Sequence, residues 1–142
     1  MLRNIPNCVS PDLMHALMSM GHGDEIVFAD ADFPGADNSR RLIRADGVDT
    51  ETLLNAVLPL FPLDTFGKSP VLAMDCSAWG DNPESYSRFG KVVKRYFDRF
   101  EDFEYLDRSS LYGAASEAYA VVVTGEADGN IILRKGIVMQ AT

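Results

Sequence analysis

The stretch SPDLMHALMSMGHGDEIVFADADFP, Ser10 to Pro34, sets the fold. Ser10 is a natural N-cap and Pro11 fits a first helical turn. Leu13, Leu17 and Met20 recur on one helical face, with Met14 and Met18 beside them. Gly21 or Gly23 stops the helix, and EIVFAD follows as a buried strand. A helix that runs directly into a buried strand belongs to an α/β protein.

The alternation continues outward from there. RRLIRAD, Arg40 to Asp46, reads as a more polar strand nearer a sheet edge. DTETLLNAVLPLFPLD, Asp49 to Asp64, reads as a helix starting near Asp49 or Thr50, striped by Leu53, Leu54, Val57 and Leu58 and broken by Pro59 and Pro62. PVLAMDC is a third strand. NPESYSRFGKVVKRYFDRFEDF is the longest helix, with Tyr86, Phe89, Val93, Tyr96, Phe97 and Phe100 on one face; Glu84, Asp98 and Glu101 are interleaved with its basic residues, so these form a solvated face. FEYLDR reads as a short strand and SSLYGAASEA as a short helix. YAVVVTGE and NIILRKG are strand-like runs around the turn signal Asp128-Gly129, which predicts a closing hairpin. The expectation is a single domain over residues 1–142: α/β, three layers, a largely parallel central sheet flanked by helices, and a C-terminal antiparallel hairpin.

Composition narrows the function. A hydrophobic fraction of 46% over 142 residues suits one packed domain. The net charge of -8 disfavours a phosphate backbone, so no nucleic-acid partner is expected. No run approaches ~20 apolar residues and the N-terminus lacks the apolar core of a signal peptide, so neither a membrane span nor secretion is expected. Cys8 and Cys76 stand far apart among apolar neighbours and read as buried thiols of a reducing, cytoplasmic setting. The common hydrolase, P-loop and dinucleotide fingerprints are missing.

Several residues are candidates for chemistry. His22 lies between two glycines at a helix-to-strand junction, where an imidazole is open to a ligand and titrates near neutral pH; a turn cap is the alternative. Asp30 and Asp32 leave the carboxyl end of a strand, where α/β sheets bind ligands, and a period of two puts them on one face; Asp32 also suits a turn cap. Asp64, in PLDTF, and Asn130, after the hairpin turn, read equally as turn residues. Arg108 and Tyr112 lie four apart and share a helical face. Tyr119 suits the core, and His15 carries no assigned role. His22, Asp24, Asp30 and Asp32 lack a second His or Cys to complete a transition-metal set, so no metal site is expected.

In this order, these segments resemble the L-fucose mutarotase and D-ribose pyranase family. The resemblance is carried by SPDLMHALMSMGHGDEIVFADADFP, IRADGVDTETLLNAVLPLFPLDTF, LYGAASEAYAVVVTGE and GNIILRKG, and it leans to the fucose branch through IRADG and PLDT. It implies a cytoplasmic isomerase that interconverts the anomers of a free monosaccharide, L-fucose or a related sugar, without a cofactor. By position, it makes His22 the catalytic histidine, Asp30 the carboxylate beside it, and Asp64 and Tyr112 further members of the active site. Arg108, Asp128 and Asn130 become sugar-contacting positions. It also implies a homo-oligomer, a decamer of two stacked pentamers, with each site completed by a neighbouring subunit. The chain departs from the family pattern where GEADGN is shortened and places Asp128 at an expected tyrosine, and where LYGAA replaces FYERA. Two alternatives stand: a pyranose–furanose interconverting pyranase, and a non-catalytic sugar-binding protein on the same scaffold.

Overall fold

β1 (Glu25–Ala29) is fully buried from Ile26 onward, which places it inside a sheet covered on both faces. The structure, a computed structural model, describes residues 1–67 and 69–139. Around β1 the chain runs α1 (Pro11–Ser19), β1, β2 (Leu42–Ala45), α2 (Thr50–Val57), β3 (Val71–Met74), a 3₁₀ turn (Ser77–Trp79), α3 (Ser85–Tyr96), β4 (Glu104–Leu106), α4 (Arg108–Glu117), β5 (Ala120–Thr124) and β6 (Ile131–Arg134). Among the described residues the strands form one six-stranded sheet in the order β2-β5-β1-β6-β3-β4. β2, β5 and β1 are parallel neighbours, as are β3 and β4, while β6 runs antiparallel to both β1 and β3.

The α/β architecture agrees with the sequence, but the closing hairpin does not form. β5 and β6 are not partners, because β1 lies between them. Both strands are apolar, and all but the last residue of β6 are buried, so each is stable only with a neighbour on both sides. β1 supplies one neighbour to each. The Asp128-Gly129 turn therefore carries the chain over the carboxyl end of β1 instead of reversing it in place. Two hydrogen bonds hold that crossing: Ala31 N–H donates to the Glu126 carbonyl at 2.9 Å, and Gly129 N–H donates to Asp30 Oδ2 at 3.2 Å.

Side-chain caps start three helices. Ser10 Oγ accepts from Leu13 N–H at 3.1 Å, Asp49 Oδ1 from Thr52 N–H at 2.8 Å, and Asp107 Oδ1 from Ser110 N–H at 2.7 Å. α3 is the longest helix but ends at Tyr96, before Phe97 and Phe100; Phe100 instead packs edge-on against Phe103 at 5.2 Å. The layers are unequal. α1, α2 and α3 cover one sheet face through Leu13, Leu53, Leu54, Phe89 and Val93. On the other face α4 packs Leu111 and Ala115 over Val27, Val121 and Ile132, with Phe33 alongside. β2 and β4 form the two edges, as expected for the more polar RRLIRAD segment. Cys8 and Cys76 are free thiols and only half-buried, because each sits in a connecting segment outside the regular elements. Among the described residues no helix is long and apolar enough to cross a membrane.

Candidate active site

The chain leaves β1 at Asp30, and the turn that follows pins its carboxylate. Asp30 Oδ1 accepts from Asp32 N–H and Oδ2 from Gly129 N–H, both at 3.2 Å. Its own N–H donates to Asn130 Oδ1 at 2.9 Å. Asn130 is buried and its carbonyl accepts from Met74 N–H at 3.1 Å, so this one residue ties β1 to β3 at the ends where both strands stop. Burial pushes the Asp30 carboxyl above the usual carboxylate range; the two N–H donors oppose the shift, and the charges of Asp128 and Asp32 add to it. Gly129 sits at φ 133°, and a Cβ there would lie 2.7 Å from Ser85 Oγ, so the turn can approach α3 only as glycine.

Asp30 opens onto a cleft of about 500 Å³ at the carboxyl ends of β1, β3 and β4, the position at which open α/β sheets bind ligands. Arg108 and Tyr112 enter it from α4. Arg108 Nη2 lies 3.4 Å from Tyr112 Oη, and its guanidinium sits 5.2 Å from the Tyr112 ring centre. The Tyr112 ring meets Phe33 edge-on at 5.0 Å. The cleft is rich in carboxylates, with Asp30, Asp32, Asp81 and Asp128 facing the single guanidinium of Arg108. That balance suits a neutral polyhydroxyl ligand better than an anionic one.

His22 lies at the opposite end of β1. Its Nε2 is 3.2 Å from Asp64 Oδ1, and its ring meets Phe66 edge-on at 5.6 Å. Asp64 is buried, while the His22 side chain remains 45% exposed and so available to a ligand from outside the chain. Asp64 Oδ1 also accepts from Phe66 N–H at 3.0 Å; this bond, then the one to His22, holds the Asp64 carboxyl below its usual range. Both residues are fixed to the far end of β6: Asp64 N–H donates to the Arg134 carbonyl at 3.0 Å and Gly23 N–H to the Lys135 carbonyl at 2.8 Å.

The expected site therefore separates into two groups. Asp30, Asp128, Asn130, Arg108 and Tyr112 share the cleft, and His22 pairs with Asp64 elsewhere. Within one chain Asp30 does not stand beside His22: five residue steps of extended chain, Glu25 to Asp30, already span roughly 17 Å at ~3.3 Å per residue. Nor do Asp30 and Asp32 share a strand face, because β1 ends at Ala29 and Asp32 stands exposed in the turn. Sequence reasoning passed over Trp79 and Asp81, which line the cleft from the β3–α3 connection. The available signal was a lone tryptophan in SAWGDNP, just past a strand's carboxyl end. Among the described residues no group of three or more His, Cys, Asp or Glu side chains is placed to hold a metal ion.

Comparison with known proteins extends this geometry. The profile of the RbsD / FucU transport protein family matches residues 3–138. An L-fucose mutarotase of Haemophilus influenzae is 40% identical over 141 residues, covering 96% of this chain and 97% of its own. The crystal structure of the fucose mutarotase of Streptococcus pneumoniae in complex with L-fucose superposes with a TM-score of 0.92 at 40% identity, over 97% of this chain and all of that one. Bacillus subtilis RbsD complexed with D-ribose shares the fold at a TM-score of 0.72 and 21% identity. Matches that run nearly from end to end of the chain and of its relatives leave one assignment: the chain belongs to the RbsD / FucU family.

Proposed function

We propose that this protein is an L-fucose mutarotase, an isomerase that interconverts the α and β anomers of the free sugar. The observation that carries the reading is the near-complete superposition on a fucose mutarotase bound to L-fucose, at 40% identity. The cleft beside Asp30 fits it: about 500 Å³ accommodates one monosaccharide, and its lining offers hydrogen-bond partners for hydroxyls together with Met74 and Trp79 for C–H surface. The D-ribose pyranase reading is supported only by the more distant RbsD likeness.

The chemistry needs one acid and one base. A pyranose is a cyclic hemiacetal, and inversion at C1 proceeds through the open aldehyde. The Asp30 carboxylate takes the proton of the anomeric hydroxyl. The C1–O bond to the ring oxygen breaks as the C1 carbonyl forms, and the ring oxygen takes a proton from an imidazolium. The aldehyde turns about its bond to C2, and closure on the other face returns both protons, so no net change in charge or oxidation state occurs. A carboxyl raised toward neutral pH suits its part, since acid–base efficiency is greatest when the pKa lies near the working pH. The imidazole is His22, held by Asp64 in the orientation that exposes the ring.

His22 and Asp30 of one chain stand at opposite ends of β1, so the imidazole that reaches the sugar comes from a neighbouring subunit. The assembly is a homo-oligomer, a decamer of stacked pentamers, working in the cytoplasm on free sugar. Saturation-transfer NMR on L-fucose tests the function directly. Magnetisation exchange between the anomeric protons, faster than the spontaneous rate and proportional to protein concentration, is the expected result. Exchange between ring sizes of D-ribose with none on L-fucose overturns it in favour of a pyranase.

A further inference from the structure

We infer that Trp79 is the platform on which the sugar's C–H face rests, and so a specificity-determining residue of the cleft; this rests on the mutarotase reading. Three aromatic side chains line the cleft: Phe33, Tyr112 and Trp79. The first two are already engaged. Phe33 is 6% exposed and packs on the edge of Tyr112, and the Tyr112 ring also carries the Arg108 guanidinium. Trp79 is 64% exposed, and its ring is the aromatic surface left free in the cleft among the described residues. Asp128, on the loop over the end of β1, offers charge but no apolar face.

The turn that carries Trp79 is built to hold it out. Asp75 N–H donates to the Leu106 carbonyl at 2.7 Å, which fixes the start of the connection to β4. Ser77 N–H donates to Asp75 Oδ1 at 2.9 Å and Cys76 N–H to Asn82 Oδ1 at 2.7 Å, so two side chains brace the entry to the 3₁₀ turn. Gly80, at φ 134°, then reverses the chain in a conformation that side chains disfavour. A single exposed apolar residue needs no explanation on its own. A tryptophan held by a braced turn at the mouth of a polar cleft does, because aromatic faces gain most from a rigid ligand surface with few polar atoms. A pyranose presents such a surface where its axial hydrogens cluster.

The chain contains one tryptophan, so its fluorescence reports on this position alone. L-Fucose is titrated into the intact protein while emission is followed, and anomer exchange is measured on the same sample. The expected result is an emission change that saturates over the same L-fucose range as the exchange rate. Normal exchange with no emission change at saturating L-fucose overturns the role of Trp79 and leaves the mutarotase reading standing. Absence of both overturns the mutarotase reading and this inference with it. Substitution gives a second measure: Trp79→Ala raises KM about tenfold with a smaller change in kcat, and Trp79→Phe recovers most of the loss, as expected for a lost aromatic contact. A KM for Trp79→Ala within twofold of the parent overturns the inference.

Discussion

His22 Nε2 meets Asp64 Oδ1 at 3.2 Å, across 42 residues of sequence, and both belong to the end of the sheet opposite the Asp30 cleft. The pairing gives the imidazole an orienting partner that is buried and itself anchored by the Phe66 N–H, while the His22 side chain stays partly exposed. A capping histidine would be oriented to satisfy its own turn. This one is oriented by a carboxylate and leaves its turn to other groups: Asp24 N–H donates to the Gly21 carbonyl, and Asp24 Oδ2 accepts from Gly21 N–H.

His22→Asn separates the two roles. Asparagine retains a hydrogen bond of similar reach to Asp64 but moves no proton near neutral pH. Anomer exchange is expected to fall by about two to four powers of ten, the scale of a lost general acid–base, with L-fucose binding and thermal melting close to the parent. A rate within about threefold of the parent, under ~1 kcal/mol in barrier, sinks the assignment. Asp64 adds a stability signature. Its folded carboxyl lies below the ordinary range, so its ionised form contributes stability that is complete above that range and is lost as pH falls through the folded value. In an acid titration of melting temperature, Asp64→Asn lacks that portion of the decline.

Asp128→Asn probes the base. The Asp128 charge adds to burial in raising the Asp30 carboxyl, so its removal lets Asp30 ionise at lower pH. If the Asp30 carboxylate takes the hydroxyl proton, activity on the acid side follows its ionisation. The acid limb of kcat/KM for L-fucose should then move to lower pH in the variant. An unmoved limb, or one displaced upward, removes Asp30 from the role of base.

Much of this was readable in the chain because the signals were local. Ser10 and Asp49 cap helices through bonds three residues long, and the apolar run Ile26–Ala29 announces a strand buried on both faces. The positions of Arg108 and Tyr112 on one helical face follow from the helical repeat, and the structure brings them together. What sequence reading missed is what depends on strand order. Asp128-Gly129 looks like a hairpin turn whether the strands it joins pair directly or admit a third between them, and only the demand of two buried strands for neighbours decides. That insertion of β1 puts Asn130 and Gly129 on Asp30, bonds that span 100 and 99 residues respectively. The His22–Asp64 pair is hidden for the same reason: β6 joins their segments from the far end of the sequence.

Arg88 is expected to hold the loop that carries Asp128 and Gly129. Its guanidinium lies 3.6 Å from the buried Glu126 carboxylate and 3.2 Å from Glu51, and Glu126 Oε1 has no hydrogen-bond partner among the described residues. Burial raises the Glu126 carboxyl and Arg88 opposes the shift. With a raised carboxyl, the cost of ionisation is absent below the ordinary glutamate range and grows as pH rises through the folded value. Arg88→Ala removes the compensation, so it should destabilise by about 1–3 kcal/mol near neutral pH, with a deficit that shrinks on acidification toward pH ~4. Adding Glu126→Gln should recover most of the loss at neutral pH. Denaturant titrations at both pH values check the sign, and a deficit that grows on acidification contradicts the argument.

The division of His22 from Asp30 makes the sharpest demand. If each working site takes its imidazole from one subunit and its carboxylate from another, two inactive variants can repair each other. His22→Asn subunits retain Asp30, and Asp30→Asn subunits retain His22. Refolded together in equal amounts and mixed at random in a symmetric assembly, about a quarter of the sites combine an intact Asp30 with an intact His22 from the neighbour. Anomer exchange should therefore return to about a quarter of the parent rate per site, while each variant alone remains at its low value. Light scattering on the same sample must show a mixed oligomer rather than a monomer. A site contained within one chain predicts no recovery at any mixing ratio, because every chain then carries one lesion or the other. Mixed oligomers with no regained exchange would show that the two ends of β1 serve different purposes.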